Sequence, residues 1–133
     1  MATRGSGYSV GNTPPRVTWT VVRGDTAAFK VYVTDDAKQP LDLSGWSINM
    51  DIKRPNNADD AGVITDNATL VMSLIPAQDP DDLAGEFTVS LTAAESVQLQ
   101  TGDIFDIELS TAQDALVWTV AQGSMVVLED VTA

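Results

Sequence analysis

The sequence predicts an all-β domain of two antiparallel sheets packed face to face. Three observations lead there. Apolar and polar residues alternate with period two in one segment after another. Clusters of Asp, Asn, Pro and Gly separate those segments. A single short stretch carries a helix-start signal. A closed small barrel uses the same strands and is the alternative.

Residues 1–16, "MATRGSGYSVGNTPPR", are rich in Gly, Ser and Pro and carry Arg4 and Arg16. Such a composition cannot build its own core, so it reads as an extended, flexible arm preceding a sandwich over 17–133. A sharper reading orders the arm on a neighbouring subunit, with Arg4 and Arg16 against an acidic surface. "VTWTVV" is the first strand, rich in β-branched and aromatic residues. Arg23-Gly24-Asp25 follows. The tripeptide is known as an adhesion signal, but it lies between two strand-like segments that leave almost no loop. A tight turn is the reading: Gly24 supplies unusual backbone angles and Asp25 bonds nearby backbone.

In "AAFKVYVT", Ala27, Phe29, Val31 and Val33 share one parity. "DDAKQP" is a loop. "WSINMDIK" is the clearest strand, with Trp46, Ile48, Met50 and Ile52 alternating with Ser47, Asn49, Asp51 and Lys53. "RPNNADDAG" and "PAQDPDDLAG" are loops around "TLVMSLI", a weaker strand candidate. "GEFTVSL" alternates Phe87, Val89 and Leu91 with polar residues. "TAAESVQL" (92–99) places Thr92 three residues before Glu95, the spacing of a capping box, and Gly102 stops the turn. One short helical turn therefore bridges two strands across an end of the sandwich. "IFDIELS" alternates again, "TAQDA" suits a hairpin, and "LVWTV" and "MVVLEDV" read as two further strands. Lys30, Asp51, Lys53 and Glu108 are expected to keep strand edges from pairing freely.

The chain has 133 residues, 44% hydrophobic and 20% charged, which suits one folded domain. Nineteen acidic against seven basic side chains give a formal charge of −12. That balance opposes nonspecific nucleic-acid binding and an electrostatic membrane anchor. No apolar run is long enough to span a bilayer, and no secretory leader is visible. Cysteine and histidine are absent. Disulfides, thiolate or imidazole metal sites, and nucleophiles activated by His are thereby excluded. No catalytic residue, cofactor or metal is assigned, and the chain reads as a non-enzyme.

Oxygen-ligated cations and carboxylate pairs survive that test. Asp59 and Asp60, and Asp79, Asp81 and Asp82, read as solvated acidic loops, without the spacing of a calcium loop. Glu86, Asp106 and Glu108 fall on outward strand faces, where ordinary pKa values and no cleft are expected. Asn67-Ala68-Thr69 matches a glycosylation sequon and reads as incidental. Trp46 and Trp118 look like core by parity. Trp19 is either core or an exposed contact anchor.

Taken in order, the motifs carry a resemblance. "VVRGDTAAFKVYVTDDAKQPLDLSGWSINMDIKRP" is followed by "GEFTVSLTAAESVQLQTGDIFDIELST" and closed by "QGSMVVLEDVT". The series resembles the immunoglobulin-like β-sandwich of baseplate upper proteins and tail-collar proteins of long-tailed phages, over roughly Val17 to Thr132. The resemblance implies a structural virion protein, assembled in the host cytoplasm. It would form a homo-oligomeric ring at the tail tip, collar or baseplate that anchors fibres or other tail proteins. Baseplate upper proteins continue into a long C-terminal region, so a chain ending at Ala133 is more similar to a collar protein. The alternatives are a capsid or neck decoration protein of the same fold and a carbohydrate-binding or adhesion module using Trp19, Tyr32 or Tyr8. The candidate subunit contacts are Arg4, Arg16, Trp19 and Arg23.

Overall fold

The computed structural model describes residues 14–35, 37–111 and 116–129. Among them, eight strands form two sheets. Five make the larger sheet, in the order β1 (Arg16–Val22), β8 (Val117–Leu128), β7 (Ile104–Thr111), β3 (Trp46–Pro55) and β4 (Ala68–Leu74). The smaller sheet runs β2 (Ala27–Tyr32), β6 (Glu86–Leu91) and β5 (Ala77–Gln78). The all-β, two-sheet sandwich expected from the alternating pattern is what forms.

The parity of each strand selects its buried face. Ile48, Met50 and Ile52 of β3, Ile107 and Leu109 of β7, and Phe87 and Val89 of β6 are all buried in one core. Their polar neighbours point outward. A one-residue slip would exchange the two sets, so burial fixes the register. Trp46 and Trp118 are half-buried and pack against the core.

Three features differ from the sequence reading. First, the pairing is not antiparallel throughout: β1 lies parallel to β8, with Arg16 opposite Gln122 and Val22 opposite Leu128. Parallel neighbours need a long connection, and here nearly the whole chain supplies it. Second, Val117–Val120 of "LVWTV" and Met125–Leu128 of "MVVLEDV" belong to one continuous strand, β8. The register between β7 and β8 shifts after Ile107, and both Val120 and Ala121 are buried there. That bulge breaks the alternation that made one strand look like two. Third, Arg16, expected in the N-terminal segment, belongs to a strand. Arg16 is the first residue of β1, and the Pro15 carbonyl accepts the Gln122 N–H at 3.0 Å. Residues 1–13, including Arg4 and Tyr8, lie outside the described residues, as do 112–115 of the expected "TAQDA" hairpin.

Gly123 makes the parallel pairing possible. A Cβ there would stand 1.8 Å from the Val17 carbonyl oxygen and 2.7 Å from the Phe105 ring. No side chain fits between β1 and β7 at that point.

The helical turn α1 (Ala93–Ser96) carries β6 of one sheet over to β7 of the other. Its capping box is complete: Glu95 N–H donates to Thr92 Oγ1 at 3.1 Å, and Thr92 N–H donates to Glu95 Oε1 at 2.8 Å. No helix of the described residues is long and apolar enough to cross a membrane.

Candidate interaction surface

The four predicted contact residues have separate fates. Arg4 lies outside the described residues. Trp19 is buried, 7% exposed, and meets Phe29 edge-to-face with ring centroids 4.6 Å apart. Its indole is therefore part of the core, and the anchor reading is corrected by its inward parity on β1. Arg16 is exposed at the start of β1.

Arg23 is engaged within the molecule. Its guanidinium donates to the Val97 and Leu99 carbonyls at 3.3 and 3.1 Å and approaches Glu129 at 3.2 Å. The last carbonyls of a helical turn have no intrahelical donors, and a cation at that end satisfies both charge and hydrogen bonding. Gly24 has φ of +88°, and Asp25 N–H donates to the Val22 carbonyl at 3.0 Å, which closes the turn. Gly24 N–H also donates to the buried Ser96 hydroxyl at 2.9 Å. Arg-Gly-Asp is thus the joint that carries β1 into the other sheet and ties it to α1.

A second joint escaped the sequence reading. Asp103, 1% exposed, receives both prongs of Arg54: Nε to Oδ1 at 2.7 Å and Nη2 to Oδ2 at 2.9 Å. Gln100 N–H donates to the same carboxylate at 2.9 Å, and Arg54 Nη2 also reaches the Gln98 carbonyl at 3.0 Å. The hydrogen bond to Asp103 holds the Arg54 pKa above its usual value. A bidentate pair of this kind has fixed geometry as well as charge. Arg54-Pro55 and Gly102-Asp103 are 49 residues apart in sequence. Nothing local could have paired them.

The outer face of the larger sheet is flat and polar, with carboxylates at its centre. Asp106 stands directly opposite Asp51, and Glu108 opposite Asn49. The expectation of ordinary pKa values is corrected for Asp106 and Glu108. Desolvation, then the Asp51 charge, raises the Asp106 pKa, while Lys53 lowers it. Glu108 is raised by desolvation and then by Asp106 and Asp51. Half-buried neighbours on a crowded sheet withhold water that parity alone would grant. Glu86 instead meets Lys30 of β2 at 3.1 Å.

This face has no deep cleft. The hollow beside Asp106 holds about 200 Å³ and is open, lined by Asp51, Lys53, Asp66 and apolar neighbours. Sites for small molecules are typically larger, about 300–1,000 Å³, and enclosing. Among the described residues no group of three or more acidic side chains is arranged to hold a metal ion. The loop aspartates are used locally: Asp79 accepts from Asp81 N–H at 2.8 Å, and Asp81 accepts from Leu83 N–H at 3.0 Å. Asn67 of the sequon accepts from the Asn56 side chain at 2.9 Å.

The expected charged guards of the edges are also corrected. Lys30 does lie on an edge strand, β2, but Asp51 and Lys53 are on β3 and Glu108 is on β7, all interior. The edge strand β4 carries no charged residue at all, and its Leu70 is 53% exposed. Among known proteins, neither a family model nor a curated relative matches this sequence.

Proposed function

We propose that this chain is a structural assembly module: a ring-forming adaptor of a phage virion, at the tail tip, collar or baseplate, that anchors fibres or other tail proteins. The observation that carries the reading is the ordered series of motifs and the positions they occupy. Arg-Gly-Asp-Thr is the joint from β1 to β2. In Leu-Asp-Leu-Ser-Gly-Trp, Leu41 and Leu43 are buried, and Ser44 donates its hydroxyl and N–H to Asp42, which lowers that carboxyl's pKa. Thr-Ala-Ala-Glu caps the crossing from β6 to β7. The series therefore describes how one sandwich is jointed; it supports a likeness in fold, and the assembly role follows from it by analogy.

The surface chemistry supports the same reading. Among the described residues the molecule offers polar sheet, edge strands and open hollows rather than an enclosed pocket, which suits contact with other proteins. A carbohydrate platform is less well supported. Trp19 is buried, and among the described residues Tyr32, 65% exposed, is the one exposed aromatic ring. One ring stacks one sugar and makes no platform.

The test is immunogold labelling of intact particles with antibodies against the purified chain. Signal at the tail tip or neck supports the adaptor. Signal over the head supports a decoration protein, and no particle-bound signal overturns both.

A further inference from the structure

Among the described residues, β1 and β4 are the edge strands of the larger sheet, and they differ in a way that has a direction. Consecutive registers place Arg16 opposite Gln122, Gln122 opposite Asp106, Asp106 opposite Asp51, and Asp51 opposite Ser73. These five residues form one row across the outer face. Strands are about 4.8 Å apart, so the row spans about 19 Å. Its cation stands on the edge strand β1. Its carboxylates stand toward the edge strand β4, where Ser73 donates to Asp51 at 2.7 Å.

The strand directions also match. One parallel and three antiparallel steps leave β1 and β4 running in opposite directions. Two copies in the same orientation therefore bring β4 of one beside β1 of the next as an antiparallel pair, with both outer faces on one side.

We propose that this chain assembles head to tail through its larger sheet, with the uncharged edge β4 of one copy receiving β1 of the next. The occupant is a second copy because the charge pattern selects it. Arg16 of the incoming copy falls beside Ser73, two strands from Asp51 and within reach of its field. The two-fold alternative, β4 against β4, brings Arg16 to neither copy's Asp51 and so gains no opposite charge in a chain of net charge −12. The absence of charge on β4 removes the usual barrier to strand addition. The outward backbone N–H and C=O groups of both edge strands, which pair with no other described strand, supply the ladder. A heterologous contact of this kind closes into a ring when its rotation divides the circle and otherwise runs on as a filament.

This contact deepens the ring-forming reading above and rests on it only for its setting in a virion. The test uses the full chain, whose sequence has no native cysteine. Arg16→Cys and Ser73→Cys proteins, each confirmed folded by circular dichroism, are mixed and oxidised. The expected product is the mixed Arg16→Cys/Ser73→Cys dimer. Ser73→Cys homodimers as the main product, or no cross-link above that of unrelated surface positions, overturn the proposal. In sedimentation without engineered cysteines, Arg16→Glu is expected to weaken assembly about tenfold, and Ser73→Lys added to it to restore the contact. A monomer at every concentration, or assembly indifferent to Arg16→Glu, also overturns it. Particles that contain the protein without this cross-link would refute the edge contact alone. Cross-linked assemblies absent from all particles would refute the virion setting alone.

Discussion

Asp103 and Asp106 lie three residues apart at the start of β7 and meet opposite circumstances. Asp103 is buried and receives Arg54 in a two-pronged pair plus a backbone N–H. Asp106 is half-buried and faces another carboxylate, Asp51, with Lys53 as its favourable neighbour. Burial alone does not decide what a carboxylate contributes. The partner does: the first aspartate locks the loop after α1 to β3, and the second keeps a like charge facing it on a surface.

The largest break in that comparison comes from removing the partner of Asp103. Arg54→Ala leaves a buried carboxylate with one backbone donor. Breaking a buried pair typically costs about 3–5 kcal/mol; with Arg54 itself one-third exposed, about 2–3 kcal/mol is expected. Urea unfolding of the variant measures it. A loss under about 1 kcal/mol would mean that water already reaches Asp103 and that the joint is ornamental.

Arg23→Ala tests the neighbouring joint. It removes donors from the Val97 and Leu99 carbonyls, and a loss of about 1–2 kcal/mol is expected. Hydrogen exchange should show the added opening confined to 93–99 and the β1–β2 turn. Uniform loss of protection would place Arg23 in the global core instead. Gly24→Ala, in the same turn, should cost about 1 kcal/mol. Its Cβ would meet nothing within 4 Å, so the cost is that of an L residue held at φ of +88°. An unchanged melting temperature would show that the turn relaxes to another geometry.

The joints differ in how far the sequence discloses them, and the reason is range. Thr92 and Glu95 are three residues apart, and their spacing alone states the capping box. Gly24 sits between two alternating segments, so its turn is equally plain. Arg54 and Asp103 meet only because β3 and β7 are neighbours in the sheet, and strand order is not written in alternation. The row from Arg16 to Ser73 depends on four registers and was hidden for the same reason. Trp19 stood between core and surface until the parity of β1 resolved it. Val120 shows the converse failure: one bulge residue interrupts period two, and a single long strand then reads as two.

The smallest effect sharpens the comparison from the other side. Asp106→Asn removes one of two facing charges, and like charges directly opposite on a sheet cost about 0.2–1 kcal/mol. The variant should therefore be more stable than the parent near pH 7 by about 0.5 kcal/mol. The pH dependence fixes the cause. The folded Asp106 pKa is raised above the unfolded value, so between the two the native state holds more protons than the unfolded state. The parent's penalty is then full at neutral pH and fades as pH falls through the raised folded pKa toward the unfolded one, near pH 4. The advantage of Asp106→Asn should shrink over that window, and parallel urea titrations at descending pH would follow it.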